Sequence, residues 1–179
     1  MHLKLFPLVM TLIITISAKA SAQCPTEIKL VPGVNYLDLI SHQKKDLAII
    51  ATFDNNTSHP HQGLSFYIHD ADSYSIIPVP DSQVFIWFDY SIAASRTKVF
   101  DYRLYRFPQG IRLVTALKIG DDPSDRQRIE LKRYAIMENH EDPGVPPYSW
   151  YIDKTVKTEQ SYDSADEIFK NTAFFCTVF

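Results

Sequence analysis

The sequence predicts an all-β fold, an antiparallel β-sandwich carrying one short C-terminal helix. Apolar and polar residues alternate through most of the chain, and clusters of Gly, Pro, Asn and Asp interrupt that alternation at close intervals. Ten Tyr and eleven Phe accompany abundant Val, Ile and Thr, the side chains that suit a pleated, half-buried surface. A barrel is the second architecture compatible with this pattern.

Residues 1–22 read as a secretory signal peptide. His2 and Lys4 precede the run LFPLVMTLIITIS, and Ala20, Ser21 and Ala22 supply the small residues a signal peptidase requires. The run is shorter than the roughly 20 residues that span a bilayer, so cleavage after Ala22 and a periplasmic destination are expected. Lipidation at Cys24 is disfavoured, because Gln23 is too large for the preceding position. Residues 23–179 form a single expected domain. Of 18 basic and 21 acidic residues, losing Lys4 and Lys19 leaves 16 against 21, a formal net charge of −5. That balance offers no basic stripe for nucleic acid. The two cysteines, Cys24 and Cys176, lie near opposite ends of the mature chain and are expected to pair in an oxidising compartment.

The elements follow in order. Glu27 to Leu39, with the turn pair Pro32-Gly33, reads as an edge strand and a turn. Asp46 to Asp70 is a hairpin in which Leu47, Ile49, Ala51 and Phe53 alternate before a loop and Leu64, Phe66 and Ile68 after it. The loop holds Asp54, Asn55, His59, Pro60 and Gly63. Tyr74 to Ile77 is a short strand stopped by Pro78 and Pro80. Gln83 to Tyr90 is apolar on both faces, which predicts a central strand or an interface strand, and a homodimer contact is one use for it. Lys98 to Phe107 and Ile111 to Ile119 flank Pro108-Gln109-Gly110 as a second hairpin. Arg126 to Glu138 is assigned as strand over the competing helix, because its apolar spacing has period two. Asn139 to Pro147 is a turn-rich loop, and Tyr148 to Lys157 alternates again. Ser164 and Glu167 match a capping box, predicting a helix from Ala165 to Asn171; a last strand from Ala173 to Phe179 is expected to follow.

Candidate chemistry is sparse. His59-x-His61 has metal-pair spacing, but zinc needs three or four convergent ligands, and no metal or other cofactor is assigned. Ser41-x-x-Lys44 and Ser95-x-x-Lys98 match S-x-x-K, of which chance supplies about one in such a chain. The companion motifs S-D-N and K-T-G are missing, so no catalytic residue is assigned and the protein is read as a non-enzyme. Trp87 and Trp150 are read as core rather than as the lining of a cleft.

At DLAIIATFDNNTSHPHQGLSFYI the chain resembles the periplasmic intrinsic carbapenem-resistance proteins of the CarG and CarF type. The features are a hydrophobic strand ending in Asp54-Asn55, His59 a few residues on, and an aromatic strand containing Phe66-Tyr67, all downstream of a signal peptide. The resemblance implies a secreted β-sandwich that protects its host from a carbapenem without being a recognised β-lactamase. It supplies no catalytic residues, and nominates Asp54, Asn55, His59 and Tyr67, with His61 beside them, as a ligand or partner surface. The expected partners are the drug, whose carboxylate would want Arg96, Arg103 or Arg112, or a cell-wall target protein. The alternative is a periplasmic immunity or inhibitor protein that neutralises a toxin through an acidic surface.

Overall fold

A computed structural model describes residues 24–40, 45–53, 61–92, 96–140 and 142–179. The described residues form two antiparallel sheets and a C-terminal helical layer. The strands are β1 (Thr26–Ile28), β2 (Gly33–Leu37), β3 (Asp46–Phe53), β4 (His61–Asp70), β5 (Ser73–Ile76), β6 (Trp87–Phe88), β7 (Tyr90–Ser91), β8 (Lys98–Phe107), β9 (Gly110–Ile119), β10 (Gln127–Glu138) and β11 (Tyr148–Tyr162). The first sheet runs β1-β8-β9-β10-β11 with β7 also on β8; the second runs β2-β3-β4-β5 with β6 also on β4. The fold is an all-β sandwich.

Period-two alternation places one residue set of each strand between the sheets. Ala48, Leu64, Phe66 and Ile68 from the second sheet meet Tyr102, Leu104, Leu113, Tyr134 and Trp150 from the first. Trp87 and Trp150 are core, as their burial in that cluster shows; their rings meet edge to face at 6.2 Å. Gly110, at φ +112°, supplies the left-handed backbone that the tight β8–β9 turn needs.

The first sheet is covered on its other side too. Tyr105, Phe107, Val114, Ala116, Ile129 and Leu131 face away from the sandwich core and pack under Ala165, Ile168 and Phe175. These last belong to a 3₁₀ helix (Ala165–Lys170) and to α1 (Thr172–Val178). The disulfide Cys24–Cys176 ties this layer to the residues just before β1.

Four expectations need correction. The segment from Ala173 to Phe179 is helical, not a strand: Phe175 and Phe179 lie one turn apart, so both reach the same sheet face, and Asn171 caps α1 by accepting the Phe174 N–H at 3.0 Å. The Ser164 capping box does not form. The Ser164 hydroxyl instead accepts the Lys98 N–H at 2.9 Å and bonds Asp166. Gln83 to Tyr90 is not one strand, because pairing begins only at Trp87; Val84, Phe85, Phe88 and Tyr90 are exposed while Trp87 and Asp89 are buried. Glu27 to Leu39 is not one edge strand and a turn: it holds β1, on the edge of the first sheet, and β2, on the edge of the second. The other strands stand close to their expected bounds, with β11 running on to Tyr162.

Candidate functional site

Of the nominated surface, Asp54, Asn55 and His59 lie outside the described residues. His61 opens β4, where its Nδ1–H donates to the Asp89 carbonyl at 2.7 Å. Tyr67 sits six residues further along the same strand, about 20 Å away at the rise of a β-strand, paired between Leu47 and Ile76. His61 and Tyr67 therefore do not converge. Among the described residues no group of three or more His, Cys, Asp or Glu side chains is placed to hold a metal.

What does converge is a polar seam where the chain crosses from one sheet to the other. The Asp89 carboxylate accepts the Gln62 N–H at 2.7 Å and the Lys98 ammonium at 2.6 Å. Lys98 also donates to Asp101 at 3.1 Å. The other Asp101 oxygen lies 2.8 Å from the Arg103 guanidinium, which reaches Glu27 at 3.6 Å. Tyr102 donates its hydroxyl to the Gln62 carbonyl at 2.8 Å, stitching β8 to β4. The seam borders a cleft of about 190 Å³ lined by Glu27, Ile50, Gln62, Leu64, Lys98 and Arg103 among others.

Electrostatics fix what this seam can do. Burial works against the Lys98 ammonium, but Asp101 and Asp89 outweigh it and hold its pKa above the ordinary value. Lys98 is the lysine of the second S-x-x-K motif, and the groups it meets here are Asp89 and Asp101; Ser95 lies outside the described residues. Burial raises the Asp101 pKa, with Arg103 and Lys98 offsetting only part of the effect. Burial, then Asp89 and Asp101, likewise push Tyr102 up, so its hydroxyl stays a donor.

The arginines nominated for a carboxylate fare similarly. Arg103 is committed to Asp101 and Glu27, and Arg112 pairs with Asp153 at 3.2 Å beside Arg133. Arg96 is exposed. Two buried groups went unnoticed in the sequence. Asp46, fully buried, accepts the backbone N–H groups of Leu39, Ile40 and His69 at 3.0 to 3.2 Å, pinning a connection to β3 and β4. Lys118, with 5% of its surface exposed, donates to the carbonyls of Pro123, Asp125 and Asp163, each at 2.7 Å. Neither had a signal beyond being a charged residue at an inward position.

The fold and the seam define a small two-sheet sandwich protein whose crossing point is built from mutually neutralised ions rather than from an activated nucleophile. The family described as carbapenem resistance protein CarG-like matches residues 30–171, and the chain belongs to it. A solved structure of CarG is similar to this chain at 44% identity, covering 81% of this chain and 94% of that one, with a TM-score of 0.78. No curated protein matches the chain. Both cysteines lie outside the matched span.

Proposed function

We propose that this protein is exported to the periplasm and gives intrinsic resistance to a carbapenem without chemistry on the drug, by shielding its cell-wall targets. Membership of the CarG-like family supports resistance. The observation that carries the choice of mechanism is the pairing of Lys98, Arg103 and Arg112 with carboxylates. A drug carboxylate entering the cleft beside Lys98 and Arg103 would have to displace their existing carboxylate partners, which is costly for an anion leaving water. Shielding needs no such exchange.

Growth inhibition of a susceptible Gram-negative host by a simple carbapenem tests this, with the protein expressed with and without residues 1–22. The expected result is protection that depends on export, with the drug concentration in the medium unchanged by purified protein. Loss of drug would mean hydrolysis or capture, and no protection would favour the immunity-protein reading.

A further inference from the structure

The cleft beside the polar seam is lined by two sets of residues: the consecutive Glu27, Ile28, Lys29 and Leu30, and side chains from β3, β4 and β8. The first set also bridges the sheets. β1 pairs with β8 at the edge of the first sheet, β2 pairs with β3 at the edge of the second, and the chain between them passes from one edge to the other. Residues 24–30 therefore lie as a strap along the side of the sandwich where the cleft opens.

Little besides the disulfide holds this strap in place. β1 has three residues, paired on one side only, with Thr26, Glu27 and Ile28 opposite Arg106, Tyr105 and Leu104. Pro25, next to the bond, is buried, but the rest of 24–30 is exposed or half-buried, and Ile28 and Leu30 rest on the edge of the core. Glu27 reaches Arg103 at 3.6 Å, with both side chains partly in solvent, and such an ion pair contributes about 0 to 1 kcal/mol. The bond to Cys176 anchors one end of the strap and β2 anchors the other. With both ends fixed the strap cannot leave. Held by β2 alone, it becomes a short segment hinged at one end, and such segments fray.

We propose that residues 24–30 are a redox-latched strap, closed over the cleft while the Cys24–Cys176 bond is intact and released when a dithiol reductant opens that bond. Cys24 is exposed and Cys176 half-buried, so attack falls on Cys24. A thiolate of the dithiol bonds to the Cys24 sulfur, and the Cys176 sulfur leaves as a thiolate that takes a proton from water. The second thiol of the reductant, as its thiolate, then displaces Cys24; the protein gains two electrons and two protons as two thiols, and the dithiol becomes a disulfide. Release carries Glu27 away from Arg103, leaving Asp101 as the one carboxylate partner of that guanidinium among the described residues. The latch thus sets how open the cleft is and how fully Arg103, which lines it, is neutralised.

The test follows amide hydrogen exchange by mass spectrometry in the chain of residues 23–179, oxidised and after dithiothreitol without denaturant. Under brief labelling, residues 26–28 are expected to exchange roughly tenfold or more faster in the reduced chain while β9 and β10 stay protected. Reoxidation is expected to restore the slow rate. Cys24→Ser with Cys176→Ser is expected to match the reduced chain, and Glu27→Gln with the bond intact to stay within about twofold of wild type. A bond that dithiothreitol opens only in urea, equal exchange at 26–28 in both forms, or protection lost throughout β9 and β10 overturns the inference. So does fast exchange at 26–28 in oxidised Glu27→Gln, since the ion pair would then be the latch. The inference goes beyond the resistance reading, and the two fail separately, because exchange is read without drug.

Discussion

Removing the disulfide measures how much the C-terminal layer depends on its tether. The bond joins residues 152 apart in sequence, and for a closed loop of that length the chain-entropy model gives about 5 kcal/mol of stabilisation through the unfolded state. A domain of this size has a total stability of about 5 to 15 kcal/mol, so Cys24→Ala with Cys176→Ala should consume a third or more of it. Urea unfolding followed by circular dichroism reads the loss directly. With a slope of about 2 kcal/mol per molar urea, the midpoint should fall by roughly 2.5 M. Limited proteolysis should cut first in the layer that begins at Ala165, because Ile168 and Phe175 then hold it only by packing on Tyr105, Leu131 and their neighbours. A midpoint drop below about 0.5 M would refute the reasoning. It would mean that packing of the phenylalanines alone fixes the layer, or that the unfolded chain keeps its ends close without the bond.

Three further outcomes are expected. Lys118→Met removes three hydrogen bonds to carbonyls of exposed residues, and at about 0.5 to 1.5 kcal/mol for each bond lost it should cost roughly 1.5 to 4.5 kcal/mol in the same urea assay. Lys98 has a folded pKa above its ordinary 10.5, so its stabilisation is complete below pH 10.5 and is lost as pH rises through the folded value; melting temperature should fall there in wild type more steeply than in Lys98→Met, and parallel curves would refute the pairing. His59→Ala with His61→Ala should leave carbapenem protection within twofold of wild type, whereas complete loss together with a bound metal in elemental analysis would restore a metal site to the loop.

How far the fold was legible follows from which contacts are local. The hairpins of β3–β4 and β8–β9 were readable because each alternating run is bounded by turn formers. The strand assignment of β10 held because period two prevailed over the helical spacing. Ala173 to Phe179 was not legible as a helix because the segment is short and rich in Phe and Val, although Phe175 and Phe179 are spaced one helical turn apart and Asn171 stands in front as a cap. The run from Gln83 looked continuous because burial of Trp87 and exposure of Phe88 are decided by β4, not by neighbours in sequence.

The candidate site was less legible than the fold. Cys24 and Cys176 could be paired from compartment and number alone, and the family resemblance stood on one hairpin. The polar seam could not be read, since Gln62, Asp89, Lys98 and Asp101 meet only after the chain crosses between sheets.

By itself, then, the sequence determined the all-β class, the strand boundaries set by turn chemistry, the cysteine pair and the family. These depend on periodicity, backbone preference and residue identity, which act over a few neighbouring residues. Tertiary structure alone decided that Ser164 serves Lys98 rather than a helix, that Lys98 is paired with Asp89 and Asp101, and that the first sheet is packed by a helical layer on its outer face while Tyr36 of the second is exposed. Each of these outcomes is set by which distant segments share a surface, and by the rule that a buried charge or donor must find its partner wherever the fold brings one.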